Sequence, residues 1–100
     1  MAYENIKNKV TYIYALGDPD TGEIRYVGAS TNPERRIVTH YACGSLEKKR
    51  YFDNLKKAEK RPVLHIVEKC HTSIRWEREG YWIQHYIKNG NRLLNDRNRY

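Results

Sequence analysis

Cysteine is scarce in this sequence: two residues in 100, Cys43 and Cys70. A small secreted domain usually compensates for a thin core with several disulfides, so this chain is not of that class. Both thiols are expected to stay free in a reducing compartment. Neither a CxxC nor an HxxxH spacing joins them to His40 or His71, so a zinc site is not expected. Long apolar runs are also missing. Nothing approaches the ~20 residues that span a bilayer. The opening MAYENIKNKV lacks the apolar segment of a secretory signal. The expectation is therefore no membrane contact and a cytoplasmic location, in a nucleoid or a host cytosol. Acidic residues are outnumbered, twelve Asp and Glu against nineteen Lys and Arg, for a net charge of +7. That excess calls for a polyanionic partner, nucleic acid first. Repeats, low-complexity tracts and interdomain linkers are absent too. Residues 1–100 read as one domain, with 1–9 a polar lead-in and 96–100 a tail.

What is present is tyrosine, nine of twelve aromatics, and a dense stretch from Thr11 to His40. Thr11–Leu16 is rich in β-branched and aromatic residues and reads as a strand. Ile24–Gly28 reads as a second. Between them, Asp18-Pro19-Asp20-Thr21-Gly22 carries turn chemistry, which predicts a hairpin. Alternation sets Tyr12 and Tyr14 on one side of the first strand and Ile13 on the other. Gly28 permits a sharp turn or a close approach of the backbone. Asn32 is a good N-cap, Pro33 suits the first helical position, and Glu34 suits the positive end of the dipole, so a helix is expected from Pro33 to Ala42. Arg36 and His40 fall four apart on it, on one face. Two strands bearing phenols then lead into a helix bearing Arg and His, groups that can converge on a phosphate. Read only as composition, these are half-buried strand tyrosines and a solvated helix.

Gly44 is expected to stop that helix and Ser45 to cap another, from Leu46 to Glu59, with Leu46, Phe52 and Leu55 inward. Residues 45–61 carry Lys48, Lys49, Arg50, Lys56, Lys57, Lys60 and Arg61 against three acids. This basic exterior is a candidate nucleic-acid-binding face. Pro62 opens a third strand, Val63–Glu68, whose apolar run predicts a central strand covered on both faces. His65 on it reads as a structural histidine. Thr72 or Ser73 caps a last helix, Ile74–Lys88, stopped by Asn89-Gly90. Glu79, Trp82, Ile83 and Tyr86 share one face of it. A carboxylate on such a stripe must be paired, protonated or bound to a cation. A buried salt bridge to Arg36 or Arg78 is the structural reading. Gly80 is expected to allow close packing on the sheet.

The order of these residues resembles the GIY-YIG nuclease family: Tyr12-Ile13-Tyr14, Tyr26-Val27-Gly28, Arg36 with His40, Glu79 before an aromatic-Ile pair, and Leu93-Leu94-Asn95. The resemblance covers about residues 10–96. Tyr12 stands where the family's first triplet has Gly, and Val27 stands where the second has Ile. The resemblance implies an α+β fold, a small three-stranded antiparallel sheet flanked by helices in the order β-β-α-α-β-α. It implies an endonuclease that hydrolyses phosphodiester bonds. Its site would comprise Tyr14, Tyr26, Arg36, His40, Glu79 and Asn95, with Glu79 holding one Mg2+ or Mn2+. DNA is the expected partner, although these residues do not separate DNA from RNA. So small a domain leaves targeting to a second DNA-binding domain or a partner. The alternative is a catalytically silent nucleic-acid-binding module with the same fold.

Overall fold

The computed structural model describes residues 9–40 and 45–95, for 38–40 the backbone alone. The expected helix end at Ala42, the Gly44 stop, Cys43, most of the lead-in and the tail lie outside the described residues.

Strand β1 (Val10–Gly17) and strand β2 (Ile24–Ser30) pair antiparallel, Tyr14 opposite Gly28 and Ala15 opposite Val27. The turn between them is locally determined. The Asp18 carboxylate accepts the backbone N–H groups of Asp20 and Thr21 at 3.0 and 2.9 Å. Gly22 takes a φ of +78°, which an L side chain adopts only with strain. Helix α1 (Pro33–His40) starts as expected: the Asn32 side chain accepts from the Arg35 N–H at 3.2 Å, and Pro33 follows. Helix α2 (Leu46–Lys57) is capped by Ser45, which accepts from the Lys48 N–H at 3.2 Å. Strand β3 (Val63–His71) pairs antiparallel with β1, a short 3-10 turn occupies Thr72–Ile74, and helix α3 (Arg75–Lys88) ends the succession of elements. The order is β-β-α-α-β-α, an α+β fold with a three-stranded antiparallel sheet.

Three sequence expectations about β3 and α3 are corrected. The sheet order is β2-β1-β3, so β3 lies at an edge and β1 is central. Val63 and Ile66 are accordingly 45% and 52% exposed, whereas Ile13 through Leu16 are at most 1% exposed. The strand also continues to His71 rather than ending at Glu68. The last helix begins at Arg75, because His71 caps the preceding 3-10 turn: its Nδ1 accepts the Ser73 N–H at 3.1 Å. Its far end is as expected, with Gly90 at φ +87°.

The central strand divides the core. Ile13 and Ala15 pack with Ile24, Val27 and Ile83 of α3, and Trp82 and Tyr86 lean on that cluster. Tyr14 and Leu16 pack with Tyr26 and with Phe52 and Leu55 of α2. The free edge of β2 is covered by the segment after α3. Asn91 accepts from the Ile24 N–H at 2.8 Å, and the Leu94 N–H donates to the Arg25 carbonyl at 2.6 Å. Covering an edge strand also protects it from pairing with another chain.

Glu23 ties the same segment down. Its carboxylate accepts from the Arg92 backbone N–H at 2.8 Å and from the Arg92 guanidinium at 3.0 and 3.1 Å. Those bonds lower the Glu23 carboxyl from its ordinary 4.5 to about 2. Its folded-state value lies below the unfolded one, so its contribution is complete above pH 4.5 and is lost as the pH falls toward 2. Glu23→Gln is therefore expected to melt below wild type at neutral pH, with the gap closing across that acid window. Thermal melts of both proteins at a series of pH values check this.

Candidate active site

Gly28 is the hinge of the site. A Cβ built there would lie 2.5 Å from Cζ and Oη of Tyr14 and 2.8 Å from its Cε1. Only glycine lets β2 accept the Tyr14 ring across the strand pair, so of the two roles the sequence left open for Gly28 it is the close approach that holds. Gly80 is different: nothing lies within 4 Å of a Cβ there, so it is not a close-packing glycine. Tyr14 is 1% exposed and has no room to retreat. Gly28→Ala is expected to cost about 1–3 kcal/mol through overpacking. Urea denaturation measures it, and an unchanged midpoint would refute the packing argument.

Around the Tyr14 phenol the sequence-predicted groups converge. Tyr26 lies with its ring centroid 6.4 Å away, tilted by 37°. Arg36, one turn into α1, hydrogen-bonds the Tyr14 side chain, and Glu79 is close enough to act on it electrostatically. Burial pushes the Tyr14 hydroxyl well above its ordinary value, and neighbouring Tyr26 adds to this. The Arg36 charge and hydrogen bond oppose it, and Glu79 raises it further. Tyr14 is therefore held as a neutral phenol. Tyr26 is 8% exposed and Glu79 6% exposed. Glu79 shares the inner face of α3 with buried Ile83. Arg78, one candidate partner for it, is instead engaged with Glu68 through two hydrogen bonds of 2.7 and 2.8 Å, and Trp82 Nε1 donates to the same carboxylate at 3.0 Å.

Asn95 acts at the outer edge of β2. Its Oδ1 accepts from the Val27 N–H at 2.9 Å and its Nδ2 donates to the Val27 carbonyl at 2.7 Å, a buried two-point clamp between Tyr26 and Gly28. The His40 side chain lies outside the described residues.

The basic candidates divide. Lys49, Arg50, Lys56, Lys57 and Arg61 are exposed. Lys60 is exposed but held by Asp20, both oxygens at 2.8 Å. Lys48 is not part of the exterior. It is 6% exposed, and its ammonium lies over the Tyr26 ring, 4.8 Å from the centroid. Leu46, expected inward, is 63% exposed. The inner stripe of α2 is Lys48, Phe52 and Leu55, at i, i+4 and i+7. That spacing was the signal for Lys48, and Leu46, six residues before Phe52, falls off it.

Among the described residues no group of three or more His, Cys, Asp or Glu could hold a metal ion, and Cys70 is a free, half-buried thiol. A multi-ligand transition-metal site is thus not built from them. A single buried carboxylate, Glu79, close to the Tyr14 phenol does suit Mg2+ or Mn2+, hard cations that keep most of their waters.

A mixed sheet-and-helix scaffold thus gathers two tyrosines, an arginine and a glutamate at one place. The chain matches the family model described as the GIY-YIG catalytic domain over residues 10–93 and belongs to that family. The match takes in Tyr14, Tyr26, Arg36, His40 and Glu79, and Asn95 lies two residues beyond it. Membership makes the chain a nuclease-family protein with nucleic acid as its substrate class, and nucleases of this family generally depend on a divalent metal ion. Neither a curated protein nor a solved structure matches the chain significantly. No described helix is long and apolar enough to cross a membrane.

Proposed function

We propose that the protein is a metal-dependent endonuclease that hydrolyses DNA phosphodiester bonds through one divalent ion. The observation that carries this reading is the gathering of Tyr26, Arg36 and Glu79 around the buried Tyr14 phenol. A binding module needs exposed cations, but it gains nothing from burying a carboxylate on an apolar helix face.

In this reading Glu79 holds Mg2+ or Mn2+. When bound there, such an ion would supply Lewis-acid stabilisation of the charge that develops at the scissile phosphate. Arg36 holds a non-bridging phosphate oxygen, for which its fixed charge and planar fork are suited. Tyr26 orients the attacking water and, as the phenolate left once its own proton has gone to solvent, takes the water's proton, a role that a nearby cation favours. Tyr14 is the poorer base, since burial keeps its proton in place. Its part is to donate toward the phosphate side of the site while Arg36 fixes its ring. His40 hydrogen-bonds the tyrosine or the phosphate. Asn95 braces Tyr26 and Gly28 through Val27. Lys49, Arg50, Lys56, Lys57, Lys60 and Arg61 track the backbone of the nucleic acid, and targeting falls to a second DNA-binding domain or a partner. The protein works in the cytoplasm, where its DNA substrate lies.

The substrate class is tested with end-labelled DNA and RNA duplexes of one sequence, each with Mg2+ at several salt concentrations. DNA is expected to be cut at internal positions while RNA survives. Cutting of RNA alone would overturn the assignment to DNA.

A further inference from the structure

The geometry points to Lys48 as a positioning residue for the cleavage reaction, holding Tyr26 through the face of its ring; this rests on the nuclease reading above. A lysine is rarely withdrawn from water, because an ammonium loses its hydration there. Lys48 is 6% exposed, between the exposed Glu47 and Lys49 on the same helix. A Leu or Met at this place would continue the apolar pattern of the Lys48-Phe52-Leu55 stripe. What a hydrophobic residue would not supply is a cation 4.8 Å from the centre of the Tyr26 ring. A desolvated cation over an aromatic face restrains that ring, and with it the direction of the hydroxyl. Tyr26 is also clamped from behind: its neighbour Val27 is held at both backbone polar groups by Asn95. Backbone and ring are thus fixed from two independent elements, the segment after α3 and helix α2. Precision of this kind matters for the residue that aims a water at phosphorus.

Lys48 therefore acts through Tyr26 and not as one of the phosphate-tracking lysines. The two roles differ in kinetics. A backbone contact removed raises KM, whereas a misaimed Tyr26 lowers kcat.

The test uses the full chain, with initial rates over a range of plasmid concentrations in Mg2+. Lys48→Met keeps length and packing and removes the charge. It is expected to lower kcat about 10- to 100-fold. KM should stay within about threefold, and melting should stay within about 5 °C of wild type. Lys48→Arg, which restores a cation over the ring, is expected to recover kcat to within about threefold. Should Lys48→Met not fold, Lys48→Gln carries the same comparison. Wild-type kcat in the charge-free variant overturns the role, as does a change confined to KM. Failure of both charge-free variants to fold overturns it as well, by making Lys48 part of the scaffold. Wild-type protein that does not cut DNA overturns the nuclease reading and this role together. Wild type that cuts beside an equally active Lys48→Met overturns this role alone.

Discussion

Glu79→Ala is expected to lower the cleavage rate by about 10³-fold or more, the scale of losing several kcal/mol of charge stabilisation at the reacting phosphate. The argument begins with cost. Glu79 is 6% exposed on a helix face whose next inward residue is Ile83. Retaining a carboxylate there opposes folding unless something favours its charge. Arg78 is engaged with Glu68, and Glu79 acts electrostatically on the Tyr14 phenol, to which Arg36 also bonds. Binding of Mn2+, followed by electron paramagnetic resonance, should weaken in the variant in parallel with the rate, while circular dichroism remains that of the folded protein. Glu79→Asp, which withdraws the oxygens by one methylene, should fall between. A Glu79→Ala protein that cleaves at the wild-type rate would remove the metal assignment.

Arg36→Ala carries the second large effect, about 10²–10³-fold in the single-turnover rate, typical of losing one preorganised charge from a developing anion. Arg36 is exposed on α1, so the fold should survive its loss, with the melting temperature lowered by the bond to buried Tyr14 that goes with it. Its hydrogen bond to Tyr14 goes with it, and burial then acts on that phenol unopposed by the guanidinium. Lysine should rescue only part, since a point charge cannot reproduce the planar fork. Full activity in Arg36→Ala would take this residue out of the site.

The local elements that carry the candidate residues were legible in sequence, whereas their grouping into one site came from the family resemblance. The hairpin follows from the Asp18 and Gly22 turn chemistry and α1 from Asn32 and Pro33, whereas Gly28 signalled a close approach or a sharp turn without marking Tyr14 as the side chain that approaches. Strand order was not legible in this way. Val63–Glu68 is apolar enough for a central strand, but β1 takes that place by pairing with both neighbours, and pairing partners distant in sequence leave no local mark. Lys48 was misplaced for another reason: a run of three basic residues reads as solvent-facing unless the Phe52 and Leu55 spacing is extended backward to it. Gly80 invited a packing role that its surroundings do not give. The Glu68 bond to Arg78 was also hidden, since β3 and α3 come together only in the folded chain.

The most direct test of the account is cleavage of supercoiled plasmid by the purified wild-type protein with Mg2+, with Mn2+ and with EDTA, DNA binding being followed in parallel by gel shift. The account predicts nicking or linearisation with either metal and intact plasmid in EDTA. Salt-sensitive binding with no cleavage in either metal would contradict it and leave a nucleic-acid-binding module in its place.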